Sequence, residues 1–205
     1  MDYSIVFVQL AILLFSIIIH EISHGYVAEM LGDPTARREG RLTLNPISHI
    51  DPIGSVALPL LLYTSGAPIF GWAKPVPYNP YNLKNPKLGG GLIGAAGPLS
   101  NILFAALFTL TLYGFDHFGV LNSMTLALFN SIITINIVLA VFNFVPIPPL
   151  DGSKVLFALL PHKFIEIQTF LERYSLPLFF LFIFFCFKFL QPVIDVLLSF
   201  FLFRG

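Results

Sequence analysis

The chain has 205 residues, 56% of them hydrophobic and only 11% charged, with 23 phenylalanines and a formal net charge of zero. This balance lies well outside the globular range and reads as a multi-pass membrane protein, residues 1–205 forming one unit with no room for a second soluble domain. A zero net charge without a basic, aromatic-laced patch excludes nucleic acid as a partner, and the lone Cys186 excludes a disulfide framework or a cysteine metal site.

The first apolar stretch, 4–31, is long enough to cross a bilayer. Met1-Asp2 ahead of it carries no Lys or Arg and no small-residue cleavage site follows, so it is expected to stay as a membrane helix. Within it lies His20-Glu21-Ile22-Ser23-His24. Helical residues four apart share a face, one turn above the other. Two imidazoles so placed can reach a single tetrahedral Zn²⁺, with Glu21 beside it to handle the protons of a water. The alternative is a chance match on a solvated helix. Against that, residues 3–19 carry no charge, which puts the motif at membrane depth, where ionisable groups are costly and as a rule functional.

The connection that follows is long. Its apolar segment 52–63 is too short to cross and suits a re-entrant or interfacial piece. Ile69 to Tyr78 mixes aromatic and β-branched residues with prolines, which predicts an exposed strand or hairpin, or an interfacial anchor with Trp72 and Tyr78 at the headgroups. Two further spans are expected at 89–115 and 125–145. A last apolar stretch, 176–203, is interrupted by Lys188, Gln191-Pro192 and Asp195, and forms one kinked helix or two short ones. The fold class predicted is therefore an all-α polytopic membrane protein, a bundle of about four to six transmembrane helices with a short re-entrant or β segment between the first and second core spans. Arg37, Arg38, Arg41, Lys74, Lys84 and Lys87 lie in the first connection and Lys154, Lys163 and Arg173 in the third, whereas 116–124 has no Lys or Arg. The positive-inside rule puts the first and third connections in the cytoplasm and the N-terminus outside.

A protease-type zinc site needs a third protein ligand. The candidate is Asp151, in Asn143-Phe144-Val145-Pro146-Ile147-Pro148-Pro149-Leu150-Asp151-Gly152, where prolines end the third span and the predicted topology brings the carboxylate to the side of His20 and His24. Its alternative role is to cap a short helix starting near Ser153; Asp195 is a weaker ligand candidate, toward the opposite face. Asn136 and Asn143, seven apart, read as interhelical hydrogen-bonding groups, and Gly90 and Gly94 as a small-residue pair for close helix packing. His49 is a candidate for the oxyanion or for a supporting layer around the metal, against a structural bond near Asp51.

The paired motifs, joined by Gly97-Pro98-Leu99-Ser100-Asn101, resemble the site-2 protease family of intramembrane zinc metalloproteases over roughly 5–154. The resemblance implies one Zn²⁺ held by His20, His24 and Asp151, Glu21 as general base, and Asn101 near the substrate backbone. It implies cleavage of transmembrane protein substrates in regulated intramembrane proteolysis, in the lipid bilayer of a bacterial cytoplasmic membrane, the active site toward the cytoplasm. Asn45 to Gly54 and Gly71 to Val76 are similar to segments of compact bacterial members that carry no PDZ or CBS domain. A catalytic core of about 4–154 followed by membrane helix at 174–203 is expected. Gly71, Trp72 and Lys74 are candidates to take an unwound substrate by strand addition. The alternative function, a metal-ion or proton transporter, requires His and Asp at successive depths instead of one level.

Overall fold

A computed structural model describes residues 3–57, 60–61, 64 and 73–202. The main helices are α1 (Tyr3–Met30), α2 (Pro86–His117), α3 (Ser123–Asn143), α4 (Asp151–Leu159), α5 (Ile165–Arg173) and α6 (Ser175–Phe201). Among the described residues four helices, α1, α2, α3 and α6, are long and apolar enough to cross a membrane, and there is no strand. The protein is a multi-pass, all-α membrane protein.

Local chemistry sets the helix starts. The Asn85 side chain accepts from the Leu88 amide, with Pro86 in the first turn, so α2 begins before the expected 89. Lys87 is accommodated there because its ammonium reaches the Leu160 carbonyl. Asn122 caps α3 in the same way through the Thr125 amide. Gly32, at φ 108°, supplies the left-handed residue that follows α1.

α2 is the central element, packed against α1, α3 and α4. Helices in lipid gain little from burying apolar surface against each other, so close backbone approach matters more. A Cβ on Gly91 would strike the Ala158 side chain, and one on Gly94 would lie 2.7 Å from Lys154 Cβ. At Gly90 the nearest atom is Tyr78 Oη at 3.9 Å. The close-packed face is thus Gly91–Gly94–Gly97, displaced by one residue from the expected Gly90–Gly94 pair at its outer end.

The last stretch is one continuous helical run, long and apolar enough to cross a membrane. Its α-helical ends, Ser175–Leu181 and Gln191–Phe201, are joined by a π-helical segment at Phe182–Cys186 and a tighter 3-10 segment at Phe187–Leu190. Pro192 cannot donate to the Lys188 carbonyl, and the change of winding falls just ahead of it. Phe179 and Phe182 pack with Val145 and Leu150, while Ile194 packs with Ala105, Ile133 and Ile137, so α6 runs antiparallel alongside α3.

In the first connection, Pro52–Ala57 forms a π-helical turn; most of the remainder of the apolar segment lies outside the described residues, as do Gly71 and Trp72. Residues 73–79 are extended, with no strand partner among the described residues. They are fastened mainly by side chains. Fully buried Asp33 accepts from the Asn79 amide (2.6 Å), the Asn82 amide group (2.6 Å), and the Thr35 hydroxyl (2.5 Å) and amide (3.2 Å). Burial alone pushes the Asp33 carboxyl up; the bonds from Asn82, Thr35 and Asn79 outweigh it and hold the group below the usual carboxylate range. Arg41, also buried, donates to the carbonyls of Ser48, Lys74 (2.7 Å) and Pro75 (3.2 Å).

Candidate metal centre

His20 and His24, on successive turns of α1, are both buried, with rings 4.7 Å apart and nearly perpendicular. Asp151, the first residue of α4, brings its Oδ2 to 2.9 Å from His20 Nε2 and 3.1 Å from His24 Nε2. Two pieces of chain separated by about 130 positions thus converge on one point. Gly97 makes room for the convergence: a Cβ there would lie 2.5 Å from His20 Cε1, His20 Nε2 and His24 Nε2. Gly94 and Gly152 serve the partner side, since a Cβ on Gly94 would be 2.9 Å from the Asp151 carbonyl and one on Gly152 would collide with the Phe144 backbone.

The remaining ring nitrogens fix what the converging atoms can do. His20 Nδ1 donates to Asn101 Oδ1 (2.7 Å), and His24 Nδ1 donates to the Ile93 carbonyl (2.6 Å). With both protons at Nδ1, each Nε2 presents a lone pair to a carboxylate oxygen that has only lone pairs to offer. Such an arrangement calls for a cation between them. Two imidazole nitrogens and a carboxylate oxygen are a zinc donor set, and their separations approach the roughly 3.3 Å edge of a tetrahedron built on bonds of about 2.0 Å. The Glu21 carboxylate belongs to the same cluster, its ligand atom within 4.8 Å of those of His20 and His24.

Further groups hold this arrangement. Lys154, three residues beyond Asp151, donates to Oδ1 at 2.9 Å and leaves Oδ2 facing the imidazoles. The Val76 amide donates to Glu21 Oε2 at 2.8 Å, so the extended segment fastened by Arg41 crosses directly over Glu21. That approach needs Gly25, where a Cβ would be 2.5 Å from Leu42 Cδ2 and 2.9 Å from Val76 Cγ1. A cavity of about 640 Å³ opens beside Lys154, bordered by Tyr78, Gly90, Ser153 and Phe157.

The structure therefore brings together His20, Glu21, His24, Asp151 and Asn101. Asn101 is fully buried, with its carboxamide oxygen turned to His20 and its nitrogen to Asn136 (2.8 Å). His49 is buried away from the cluster, donating through Nε2 to the Thr43 carbonyl (2.8 Å), and its own carbonyl accepts from the Lys74 amide (2.9 Å). Lys74 contributes only backbone to these contacts and its side chain is exposed. Asp195 is bonded to Gln191 on its own helix (2.8 Å). Lys154 is legible in retrospect from its three-residue offset from Asp151. The Ile93 carbonyl and the Val76 amide have no side-chain signature at all.

Comparison with known proteins agrees with this chemistry. The model of peptidase family M50 matches residues 117–185, the part that contains Asp151. The chain is 40% identical over 172 residues, 82% of its length and 75% of the relative's, to YwhC of Bacillus subtilis, described as a "putative zinc metalloprotease". It is 30% identical to Rip2 of Mycolicibacterium smegmatis, described in the same words, and to the zinc metalloprotease MJ0392 of Methanocaldococcus jannaschii, covering 76% and 80% of this chain. It spans 57% and 38% of the lengths of those two. No solved structure gives a significant match. With the motif pair, the apolar spans and these relatives in agreement, the chain belongs to peptidase family M50, the site-2 protease family, and is an intramembrane zinc metalloprotease.

Proposed function

We propose that this protein hydrolyses peptide bonds within or next to the transmembrane segments of membrane-anchored proteins, in regulated intramembrane proteolysis. In this reading residues 1–205 are a single peptidase domain in a bacterial cytoplasmic membrane, its N-terminus outside and its site toward the cytoplasm. His20, His24 and Asp151 hold the zinc. The observation that carries this is the meeting of both histidine Nε2 atoms on one Asp151 oxygen, at 2.9 and 3.1 Å.

Zinc in such a site supplies a Lewis acid for the scissile carbonyl and lowers the pKa of a bound water toward about 7. Glu21 is the base: it takes a proton as the water oxygen bonds to the carbonyl carbon, and returns it to the amine nitrogen as the C–N bond breaks. The Val76 amide keeps Oε2 engaged and leaves Oε1 to carry that proton. Lys154 balances the Asp151 charge on the far oxygen. The cavity beside Lys154 brings solvent within one side chain of the site. A transporter would place His and Asp at several depths; here they gather at one.

The test is reconstitution in liposomes with a panel of single-span membrane proteins. Glu21→Gln is expected to keep zinc and produce no fragments, whereas His20→Ala, His24→Ala and Asp151→Ala lose zinc and cleavage together. Zinc retained by Asp151→Ala would remove the ligand assignment.

A further inference from the structure

Three buried polar side chains extend away from the metal cluster into the membrane-spanning bundle: Asn101 on α2, Asn136 on α3 and Ser16 on α1, exposed by 0%, 0% and 1%. Asn136 Nδ2 donates to the Ser16 hydroxyl (2.9 Å) and to the Ile132 carbonyl (2.9 Å). Asn136 Oδ1 accepts from Asn101 Nδ2 (2.8 Å), which also lies 3.4 Å from the Ser16 carbonyl. Asn101 Oδ1 in turn accepts from His20 Nδ1 (2.7 Å).

The direction of this chain is not arbitrary. A carboxamide can be turned end for end, but a backbone carbonyl only accepts. The Ile132 carbonyl therefore forces Asn136 to present its NH₂ on that side and its oxygen to Asn101. Asn101 must then meet Asn136 with NH₂ and His20 with oxygen. An oxygen there requires a His20 proton on Nδ1, which in the neutral ring that binds a metal leaves Nε2 with its lone pair toward Asp151. The Ser16 hydroxyl adds a bond without setting the direction, because it both donates and accepts; the Ser16 carbonyl, at 3.4 Å from Asn101 Nδ2, is a long contact that favours the same Asn101 orientation and is kept in every variant below. In hydrocarbon no water competes for these groups.

Resting on His20 as a zinc ligand, we propose that Asn136 is a positioning residue for the metal: through Asn101 it passes the polarity of the Ile132 carbonyl to His20 and holds the imidazole in its zinc-binding tautomer. Asn136 touches neither metal nor substrate, so its signature is the affinity of the folded protein for zinc, which a purely structural contact leaves unchanged. Outer-layer partners of metal ligands are worth about 10–100-fold in affinity.

The experiment measures zinc affinity of the full chain in detergent by competition with a chromophoric chelator, alongside thermal unfolding of the zinc-free protein. Asn136→Leu is expected to weaken zinc binding by about 10–100-fold. Asn136→Thr, whose hydroxyl satisfies the Ile132 carbonyl but is too short for Asn101, shows the same loss and keeps the test alive if the leucine variant does not fold. Asn136→Asp, whose carboxyl is kept neutral by burial in the apolar bundle, donates its O–H to the Ile132 carbonyl, retains an acceptor toward Asn101 and stays within a few-fold of the parent, as does Ser16→Ala. Parental affinity in Asn136→Thr, or a drop in unfolding temperature with unchanged zinc affinity, overturns the proposal. His20→Ala is the control on the underlying reading: if it binds zinc like the parent, the ligand set itself is wrong, whereas loss of zinc there with parental binding in Asn136→Thr defeats the relay alone.

Discussion

Gly97 shows how much of the metal centre depends on something missing. The two imidazoles occupy the space a side chain at position 97 would need, at 2.5 Å. Both rings are held by Nδ1 bonds to α2 itself, through Asn101 and Ile93, and cannot move aside without losing them. Gly97→Ala is expected to destabilise the fold by about 1–3 kcal/mol, the usual cost of overpacking, and to lower zinc affinity by at least about tenfold; equilibrium unfolding and metal titration check the two separately. At Asp33 the sign of the pH dependence follows from a carboxyl held below its ordinary value. Its contribution is fully present above the unfolded-state value of about 4 and is lost as pH falls through the lower folded value. Asp33→Asn should therefore cost about 1–3 kcal/mol near neutrality, with the gap to the parent closing as unfolding is followed below about pH 4.

At the scale of elements, the segment 73–79 is a strap held from four sides, by Arg41, His49, Asp33 and Glu21. Arg41→Gln cannot span its three carbonyls, so the strap loosens and the Val76 amide leaves Glu21. The expected result is a fall in single-turnover cleavage of about tenfold or more with zinc content unchanged. A variant that loses metal as well as activity would show that the strap supports the ligands instead. Much of this scale was legible in the sequence. The absence of charge over 3–19 and the four-residue histidine spacing mark α1 and its reactive face, and the proline run marks the break that frees Asp151. The mixed prolines and aromatics suggested a strand or hairpin ahead of α2; the described part, 73–79, is extended but is not a strand. They carried no sign of what it pairs with, because its partners are the side chains of Glu21, Asp33 and Arg41 and the backbone carbonyl of His49, four separate places in the sequence. The same holds for the glycine face of α2: spacing alone offers Gly90–Gly94 as readily as Gly91–Gly94–Gly97, and the identity of the opposing helix decides. The winding of α6 was open because Pro192 is compatible with a break or with a continuous helical run; packing of Ile194 at the middle of α3 and of Phe179 at and beyond its C-terminal end selects the latter.

For the whole molecule, the proposed zinc ligands His20, His24 and Asp151 join the first spanning helix to the short helix after the third. Two Nε2 lone pairs and a carboxylate oxygen crowd one point, and a cation turns that repulsion into attraction. Removing zinc with a chelator should therefore lower the unfolding temperature. It should also open the proline turn at 144–150 to added protease, while leaving the packing of α6 on α3 intact. At a free zinc concentration 100 times the dissociation constant, the linkage is worth about 2.7 kcal/mol. With Asp151 as the proposed third ligand, the consequence reaches past catalysis: the ion would act as a rivet between distant parts of the chain, so scarcity of zinc in the cell would shorten the life of the enzyme as well as silence it.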